Sequence, residues 1–362
     1  MRYFNFFVAI ILSLLYASGK IPPSEKFNLW ITSFVIPAAL VANLILLLIS
    51  LALLKKSTIY YVIALLIGSP YLISTVGLKS IAEAEQKTDS SFKILSYNVG
   101  GYQMRPFVNN NSDSIRVALK EWMLNSSAEI KCFQEFKNFP RSKDFNVIKQ
   151  LEERGEHFYF SMEKETPYSN YSRTGILIIS KFPILATGDL LASENGFNRI
   201  AYADLLVGQD TLRIINVHLE SMGLTGVEHR AKNLQAVKAT TLIILSKLKT
   251  GVFERSKQIR QLADFIDHSP YPTICVGDFN DLPYSYSYQF IKKRMKNSFE
   301  EAGHGFGFTY NGRTLGGLRI DNQFFTAPIR VLGFETLSQI EFSDHFPILA
   351  DYEIVRTAAS ER

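Results

Sequence analysis

The 362-residue sequence has only two cysteines, Cys132 and Cys275, each inside an apolar run. Two isolated cysteines exclude a disulfide framework and a Cys/His zinc site, so buried free thiols are expected. There is no Gly-rich stretch leading into Lys-Ser or Lys-Thr, which excludes the phosphate-cradling loop of an NTPase. There is no Gly-x-Ser-x-Gly either, so a nucleophile elbow is absent. Repeats and low-complexity runs are also missing. A strong excess of one charge is lacking as well. Residues 1–90 carry seven Lys+Arg and four Asp+Glu, leaving 32 and 30 for residues 91–362, a balance of +2. Dedicated nucleic-acid domains are clearly basic, and this part is not, although a local basic groove stays open.

Charge is missing altogether from three N-terminal stretches. Residues 3–19, 27–54 and 57–78 are uncharged over 17, 28 and 22 positions. A spanning helix needs about 20 apolar residues, so residues 1–78 are expected to form a membrane region of about three transmembrane helices. The first stretch follows Arg2 and ends in small residues, as a signal peptide does. Its Ala17–Gly19 end is a poor cleavage site, and an uncleaved helix is expected. Lys55 and Lys56 occupy the short loop between the second and third stretches, which favours the cytoplasmic side, and Arg2 agrees. Lys20, Lys26 and Lys79 lie on the other side. A multi-pass protein of the cytoplasmic (inner) membrane follows, with the remainder extracytoplasmic. A cytoplasmic remainder is the alternative.

Residues 79–90 are polar and read as a linker, residues 91–356 as one catalytic domain, and residues 357–362 as a tail. From residue 91, short apolar runs alternate with helical patterns. "FKILSYNV", "EIKCFQEF", "GILIISKFPI", "RIAYADLLV", "TLRIINVHLE", "TICVGDF", "RIDNQFFT" and "FPILADYEI" read as strands. Residues 113–126, 226–249 and 253–267 have apolar residues at helical spacing. Some strands are continuously apolar and others alternate, which suggests sheets covered by helices on one face and by another sheet on the other.

Several of these strands end in a polar residue: Asn98, Glu135, His218, Asp278 with Asn280, Asp321, and Asp344 with His345. Buried singly, such carboxylates are costly; gathered around a cation, they satisfy one another. Oxygen ligands from Asn98, Glu135 and Asp344 suit Mg2+ or Mn2+, which keep waters and bind phosphate. Two histidines suit proton transfer and phosphate contact near neutral pH. Each residue also has an ordinary reading. Asn98 before Gly100-Gly101 suits a turn, Glu135 a solvated strand end, His218 a satisfied strand histidine, and Asp321 a partner of Arg319. Arg173 and Arg199 sit near strand starts; Arg173 could meet phosphate, and surface solvation is the plain reading of both. Tyr284, Tyr286 and Tyr288, with Phe306, Phe308 and Tyr310, lie on loops expected at the rim of a site, where they could stack bases or dip into a membrane interface; packing of half of them into the core is the plain reading for each singly.

The ordered set "SYNV", "QEF", "NVHLES", "GDFN", "RIDNQF" and "SDHFPI" resembles the endonuclease/exonuclease/phosphatase (DNase I-like) superfamily over residues 91–356. Its members include nucleases, inositol polyphosphate phosphatases, sphingomyelinases and deadenylases. The resemblance implies an α+β fold, a four-layer α/β/β/α sandwich of two packed mixed sheets flanked by helices. It implies Mg2+ (or Mn2+) held by Asn98 and Glu135 with support from Asp344. By the same resemblance, Asp278 orients or deprotonates the attacking water, and Asn280 donates to the phosphoryl group. Asp321 holds His345 against the phosphate, and His218 stabilises the transition state. The carboxylate that some relatives pair with His218 is not identifiable, with Glu163 and Glu165 as candidates. A membrane-anchored, bacterial-type phosphoesterase is therefore expected. Its partners are the bilayer and a phosphate ester (nucleic acid, phospholipid or small diester), and no protein partner is evident. The alternative, a catalytically retired membrane sensor, would have shed a ligand or a histidine, and none is visibly lost.

Overall fold

The structure is a computed structural model. It describes residues 2–24, 29–79, 91–102, 112–164, 171–193, 197–223, 234–312 and 316–355. The tail at 357–362, Glu165 and all of the expected linker but Lys79 lie outside these residues. The chain begins with α1 (Arg2–Ser18), α2 (Thr32–Ala52) and α3 (Thr58–Ile73). There follow β1 (Gly77–Leu78), β2 (Phe92–Asn98), α4 (Ser112–Asn125), β3 (Ile130–Asn138), α5 (Val147–Glu153), β4 (His157–Met162) and β5 (Arg173–Ser180). Next are β6 (Ile184–Ala192), β7 (Arg199–Val207), β8 (Asp210–His218), α6 (Leu234–Asp267), β9 (Thr273–Asp278) and α7 (Tyr286–Ile291). Then come β10 (Lys296–Asn297), α8 (Ser298–Ala302), β11 (His304–Gly305), β12 (Tyr310–Asn311) and β13 (Gly316–Leu318). The chain ends in β14 (Asp321–Phe325), β15 (Ile329–Thr336) and β16 (Ile348–Ile354).

Two compact units result, and they do not follow the sequence linearly. One holds Met1–Val76, Ser221–Ile259 and Asp281–Lys293, and the other holds Gly77–Glu220, Arg260–Asn280 and Arg294–Arg362. In the first unit, polar groups of the helices turn inward. Tyr16 donates its hydroxyl to Ala39 O at 3.1 Å, Asn43 donates to Tyr16 at 3.4 Å, and Tyr71 donates to Tyr16 O at 2.9 Å. Gly68 lets Tyr16 approach, since a Cβ there would lie 2.9 Å from its ring. Phe4, Phe7, Leu14, Val41, Leu48 and Leu66 face outward and are exposed.

Of the three expected spanning helices, one has the length. The helical stretch Leu29–Ala52 runs 24 residues with mean hydropathy 2.6. The helices α1 and α3 have 17 and 16 residues, about 25 Å each at 1.5 Å per residue against a hydrocarbon core of about 30 Å. The third uncharged run loses its last residues because Ser74 and Thr75 turn their hydroxyls back onto Pro70 O and Tyr71 O. Such bonds compete with helix continuation, and the chain passes into β1.

The second unit contains two six-stranded mixed sheets, ordered β10-β14-β9-β8-β7-β6 and β15-β16-β2-β3-β5-β4. Continuously apolar strands fill the space between them: Ile94, Cys132 and Ile178 meet Ile214, Ile274 and Val276. On the outer face of the second sheet, Leu119 and Met123 of α4 and Leu151 of α5 cover Leu95, Phe133 and Leu177. Phe265 at the end of α6 lies on Tyr202 of the first sheet. The expected α+β layering of two packed sheets flanked by helices is thus present. The apolar run 175–184 is broken into β5 and β6 at Pro183, which has no N–H to continue a ladder. Cys132 and Cys275 are buried free thiols.

Candidate active site

Parallel pairing gathers the polar strand ends. β2 runs parallel to β3 and β8 parallel to β9, so their C-terminal ends lie side by side within each sheet. His218 is the register partner of Asp278, and Asp321, opening the antiparallel β14, partners Asp278 from the other side. Gly277 permits this closeness. Its φ is 137°, and a Cβ there would stand 2.0 Å from Val217 O, a position only glycine fits.

Glu135 does not simply end its strand. The β3–β5 register shifts between Phe133 and Phe136, and Glu135 has φ of 50°. A glutamate in the left-handed region is uncommon, and strain of this kind concentrates at functional sites. Asn280 also has φ of 50°. The bulge is braced from below by buried amides. Gln134 donates to Asn216 at 2.7 Å, and Asn216 donates to Phe133 O and Leu177 O at 3.2 Å each. These bonds join β3 to β8 across the two sheets. Gln134 and Asn216 flank Glu135 and His218 in the quoted motifs, yet nothing in their type marks them as a bridge.

Asn98 serves two ends. Its Oδ1 accepts from Gly100 N at 3.0 Å, which is the turn expected from sequence. Its Nδ2 donates to Glu135 Oε1 at 3.2 Å and to Asp278 Oδ2 at 3.0 Å. Asn280 N donates to Asp278 Oδ1 at 2.7 Å, while its Nδ2 reaches Asp278 Oδ2 at 3.2 Å and Leu219 O at 3.1 Å. Asp278 is 1% exposed and so receives donors on both oxygens, as a buried carboxylate requires.

The two histidines point their Nε2 atoms at this carboxylate. His218 Nε2 lies 3.6 Å from both Glu135 Oε1 and Asp278 Oδ2, and His345 Nε2 lies 3.7 Å from Asp278 Oδ2. Their Nδ1 atoms are held differently. His345 Nδ1 meets Asp321 Oδ2 at 2.9 Å, the expected pair. His218 Nδ1 meets the Phe197 carbonyl at 2.7 Å. The carboxylate sought for His218 is therefore not Glu163, which accepts from Thr174 N at 3.2 Å. A backbone oxygen fills that role, and sequence carries no signal for it. Burial alone lowers the His345 pKa, but Asp321 and then Asp278 outweigh it and push the imidazole up to about 10. Burial pushes the Asp321 carboxyl up, opposed by His345.

Asp344 is held in its own loop, accepting from Ser343 Oγ at 3.2 Å while its backbone oxygen accepts from Asn311 N at 2.8 Å. Its charge is felt nearby: burial first, then Asp344, Asp278 and Glu135, push the Tyr310 hydroxyl up to about 12. Tyr310 also sets its ring edge-on to His345 at 5.0 Å. Tyr310, one of the aromatics expected at the rim, thus stands directly beside His345. Among His, Cys, Asp and Glu of the described residues, Asp278, Asp321 and His345 place ligand atoms within 4.8 Å of one another. No lysine or arginine among the described residues forms an ion pair with Glu135 or Asp278. The carboxylate oxygens of Glu135 and Asp278, met by histidines and by no lysine or arginine among the described residues, suit a hard divalent ion.

Other expectations are corrected. Arg199 is buried, not solvated, and bonds Ser161 at 2.9 Å and Asp189 at 3.4 Å. Arg173 is half-buried, 3.8 Å from Met162 Sδ. The aromatics divide as core packing of half the set implies: Tyr284 and Tyr288 are buried, while Phe306 and Phe308 are exposed and stacked.

The Endonuclease/Exonuclease/phosphatase family profile matches residues 95–345, and no curated protein matches the sequence. Among solved structures, an endonuclease/exonuclease/phosphatase from Beutenbergia cavernae DSM 12333 is similar at 17% identity and TM-score 0.50, over 73% of this chain and 72% of that one. TDP2 from C. elegans is similar at 17% identity and TM-score 0.51, over 74% and 77%. At such identities the likeness concerns the fold. The profile match spans well over half the chain and every residue of the site described above, and on it the chain belongs to the endonuclease/exonuclease/phosphatase family.

Proposed function

We propose that this protein is a membrane-anchored, divalent-metal-dependent phosphoesterase. The observation that carries the catalytic part is the convergence of Asn98, His218 and His345 on Asp278, with Glu135 joined through Asn98 and His218 and no lysine or arginine paired to the two carboxylates among the described residues. Glu135 and Asn98, supported by Asp344, would hold Mg2+ or Mn2+, which supplies positive charge to the phosphoryl oxygens as they gain charge. Asp278 accepts hydrogen bonds on both oxygens and is placed to orient water or take its proton. Asn280 would donate to the phosphoryl group by giving up one of its two amide bonds, to Asp278 or to Leu219. His345, kept charged by Asp321, donates to phosphate oxygen, and His218 presents Nε2 to the same centre. Each contact strengthens as charge grows in the transition state, which lowers the barrier.

The membrane part rests on the inverted helices, polar inside and apolar outside. A water-facing bundle would be arranged the other way, and apolar surface on this scale marks a lipid or partner interface. Thinning of the bilayer or flanking residues would accommodate the two short helices. With Lys55 and Lys56 inside, the catalytic residues lie outside the cytoplasm.

The full chain in lipid nanodiscs with Mg2+ should hydrolyse bis-p-nitrophenyl phosphate. Glu135→Gln should lower kcat by roughly 10^2-fold or more, since a metal supplies several kcal/mol of charge stabilisation. Full activity in EDTA would sink the metal assignment. An alkaline phosphatase fused after Lys79 should be active; a silent fusion beside an active cytoplasmic reporter would reverse the topology.

A further inference from the structure

Asp281 follows Asn280 directly in the chain, yet the stretch Asp281–Lys293 belongs to the unit built on α1–α3. The contacts inside that unit are specific. Tyr284 is buried, and its hydroxyl lies 2.9 Å from Thr75 Oγ1. Thr75 donates its own proton to Tyr71 O at 2.5 Å, so Tyr284 is the donor to Thr75. The Tyr71 and Tyr284 rings stand 6.2 Å apart. Lys292 Nζ donates to Ser74 Oγ at 3.2 Å. A Cβ on Gly19 at the end of α1 would fall 3.0 Å from Tyr284 O. Asp281 itself faces Arg255 of α6 at 3.2 Å, with both side chains no more than 1% exposed. Four residues after Asn280, the chain is thus fastened to the turn that ends α3.

An apolar anchor needs no such fastening. Tyr284 could bury its ring without a hydroxyl partner, and Thr75 already has a hydrogen bond. Asn280, by contrast, is held at φ 50°, and a left-handed residue persists only where its surroundings over-determine it.

We propose that Tyr284 is a positioning residue for the hydrolysis: its hydrogen bond to Thr75 fixes the segment that continues Asp278–Asn280, so α1–α3 are part of the working enzyme and not only its anchor. The proposal rests on the phosphoesterase reading of the site. A chain cut before residue 91 would keep every residue named in the catalytic step and lose turnover.

The test uses the full chain in nanodiscs with Mg2+ and bis-p-nitrophenyl phosphate, with amide hydrogen exchange read over residues 279–291. Tyr284→Phe and Thr75→Val should each lower kcat by roughly tenfold at unchanged KM, short of the ~10^2-fold that a full 1 Å misplacement can cost. The double variant should be no worse than the weaker single, since the two groups make one bond. Thr75→Ser should restore kcat, because it keeps the acceptor. Exchange over 279–291 should quicken in Tyr284→Phe and Thr75→Val and return in Thr75→Ser. Wild-type kcat in both variants, multiplying losses, or unchanged exchange would overturn the proposal. An inactive wild type would count against the phosphoesterase reading, and the exchange arm would then decide the positioning role alone.

Discussion

The two halves of the site are held by different forces. On one side, His345 is fixed by a buried charge pair with Asp321 at 2.9 Å. On the other, His218 is fixed by a backbone carbonyl, and its neighbours Glu135 and Asn280 by left-handed backbone conformations. A carboxylate partner favours imidazolium and holds it through proton transfer. A carbonyl partner fixes only the tautomer and the ring plane. The same residue type therefore carries two roles. His345 is suited to remain a cation against phosphate, and His218, whose Nδ1 rests on a carbonyl, to present Nε2 to Glu135 and Asp278.

The sharpest way to break this contrast is to neutralise the charged half. His345→Ala should lower kcat on the order of 10^3-fold, within the range for a positioned acid or charge donor. Asp321→Asn should be nearly as severe, because an amide can hold the wrong tautomer. The double variant should be little worse than His345→Ala, since residues acting as a unit are not additive. Losses that multiply would instead assign Asp321 a task separate from holding His345.

His218→Ala should cost less, on the order of 10^2-fold, the scale for removing one transition-state donor. Its kcat should also lack the Asp321 dependence: combined with Asp321→Asn, the losses should multiply. A His218 variant that behaves like the His345 variants in such a cycle would erase the difference between the halves.

How much of this was legible in the sequence follows the same division. Side-chain chemistry at strand ends could be read, because an Asp or His beside an apolar run is costly without a purpose. Asn98, Glu135, His218, Asp278, Asn280, Asp321 and His345 do come together. The layers were legible because apolar strands alternate with helices. Backbone devices were not. Phe197 contributes a carbonyl that any residue could supply, and the bulge that turns Glu135 depends on pairing with β5. The inter-sheet amides Gln134 and Asn216 look like ordinary strand residues until the two sheets are stacked. Nothing local to Arg199 announces Ser161 and Asp189, so solvation is its plain reading in sequence. The helices at the N-terminus were legible as apolar but not in length, since their ends are set by Ser74 and Thr75 bonding backward and not by composition.

The charged half should also respond to pH. His345 is raised in the folded protein to about 10 from an ordinary 6.5. A group raised on folding adds stability that is full below its unfolded pKa and is lost as pH rises through the folded value. In metal-free protein, the melting temperature of wild type relative to His345→Gln should be greatest below about 6.5 and should decline toward about 10. A difference that grows over this window would mean that the imidazole is neutral in the fold.

The smallest effect belongs to the backbone-held half, and it isolates conformation from chemistry. Asn280→Ala and Asn280→Gly both remove the amide that reaches Asp278 and Leu219, so their activities should be equally poor. They differ in what φ 50° costs. An alanine pays roughly 1 kcal/mol or more for a left-handed conformation, and a glycine does not. At an ordinary position, glycine is the less stable by about 0.5–1 kcal/mol. The Gly variant should therefore be the more stable by about 0.5 kcal/mol in denaturant unfolding of the full chain, the reverse of the usual order. The same inversion should appear between Glu135→Gly and Glu135→Ala, and should be absent at Asp321, which lies in a regular strand. Alanine as stable as glycine at 280 and 135 would show that the backbone relaxes freely there, and that the second half is held by its side chains after all.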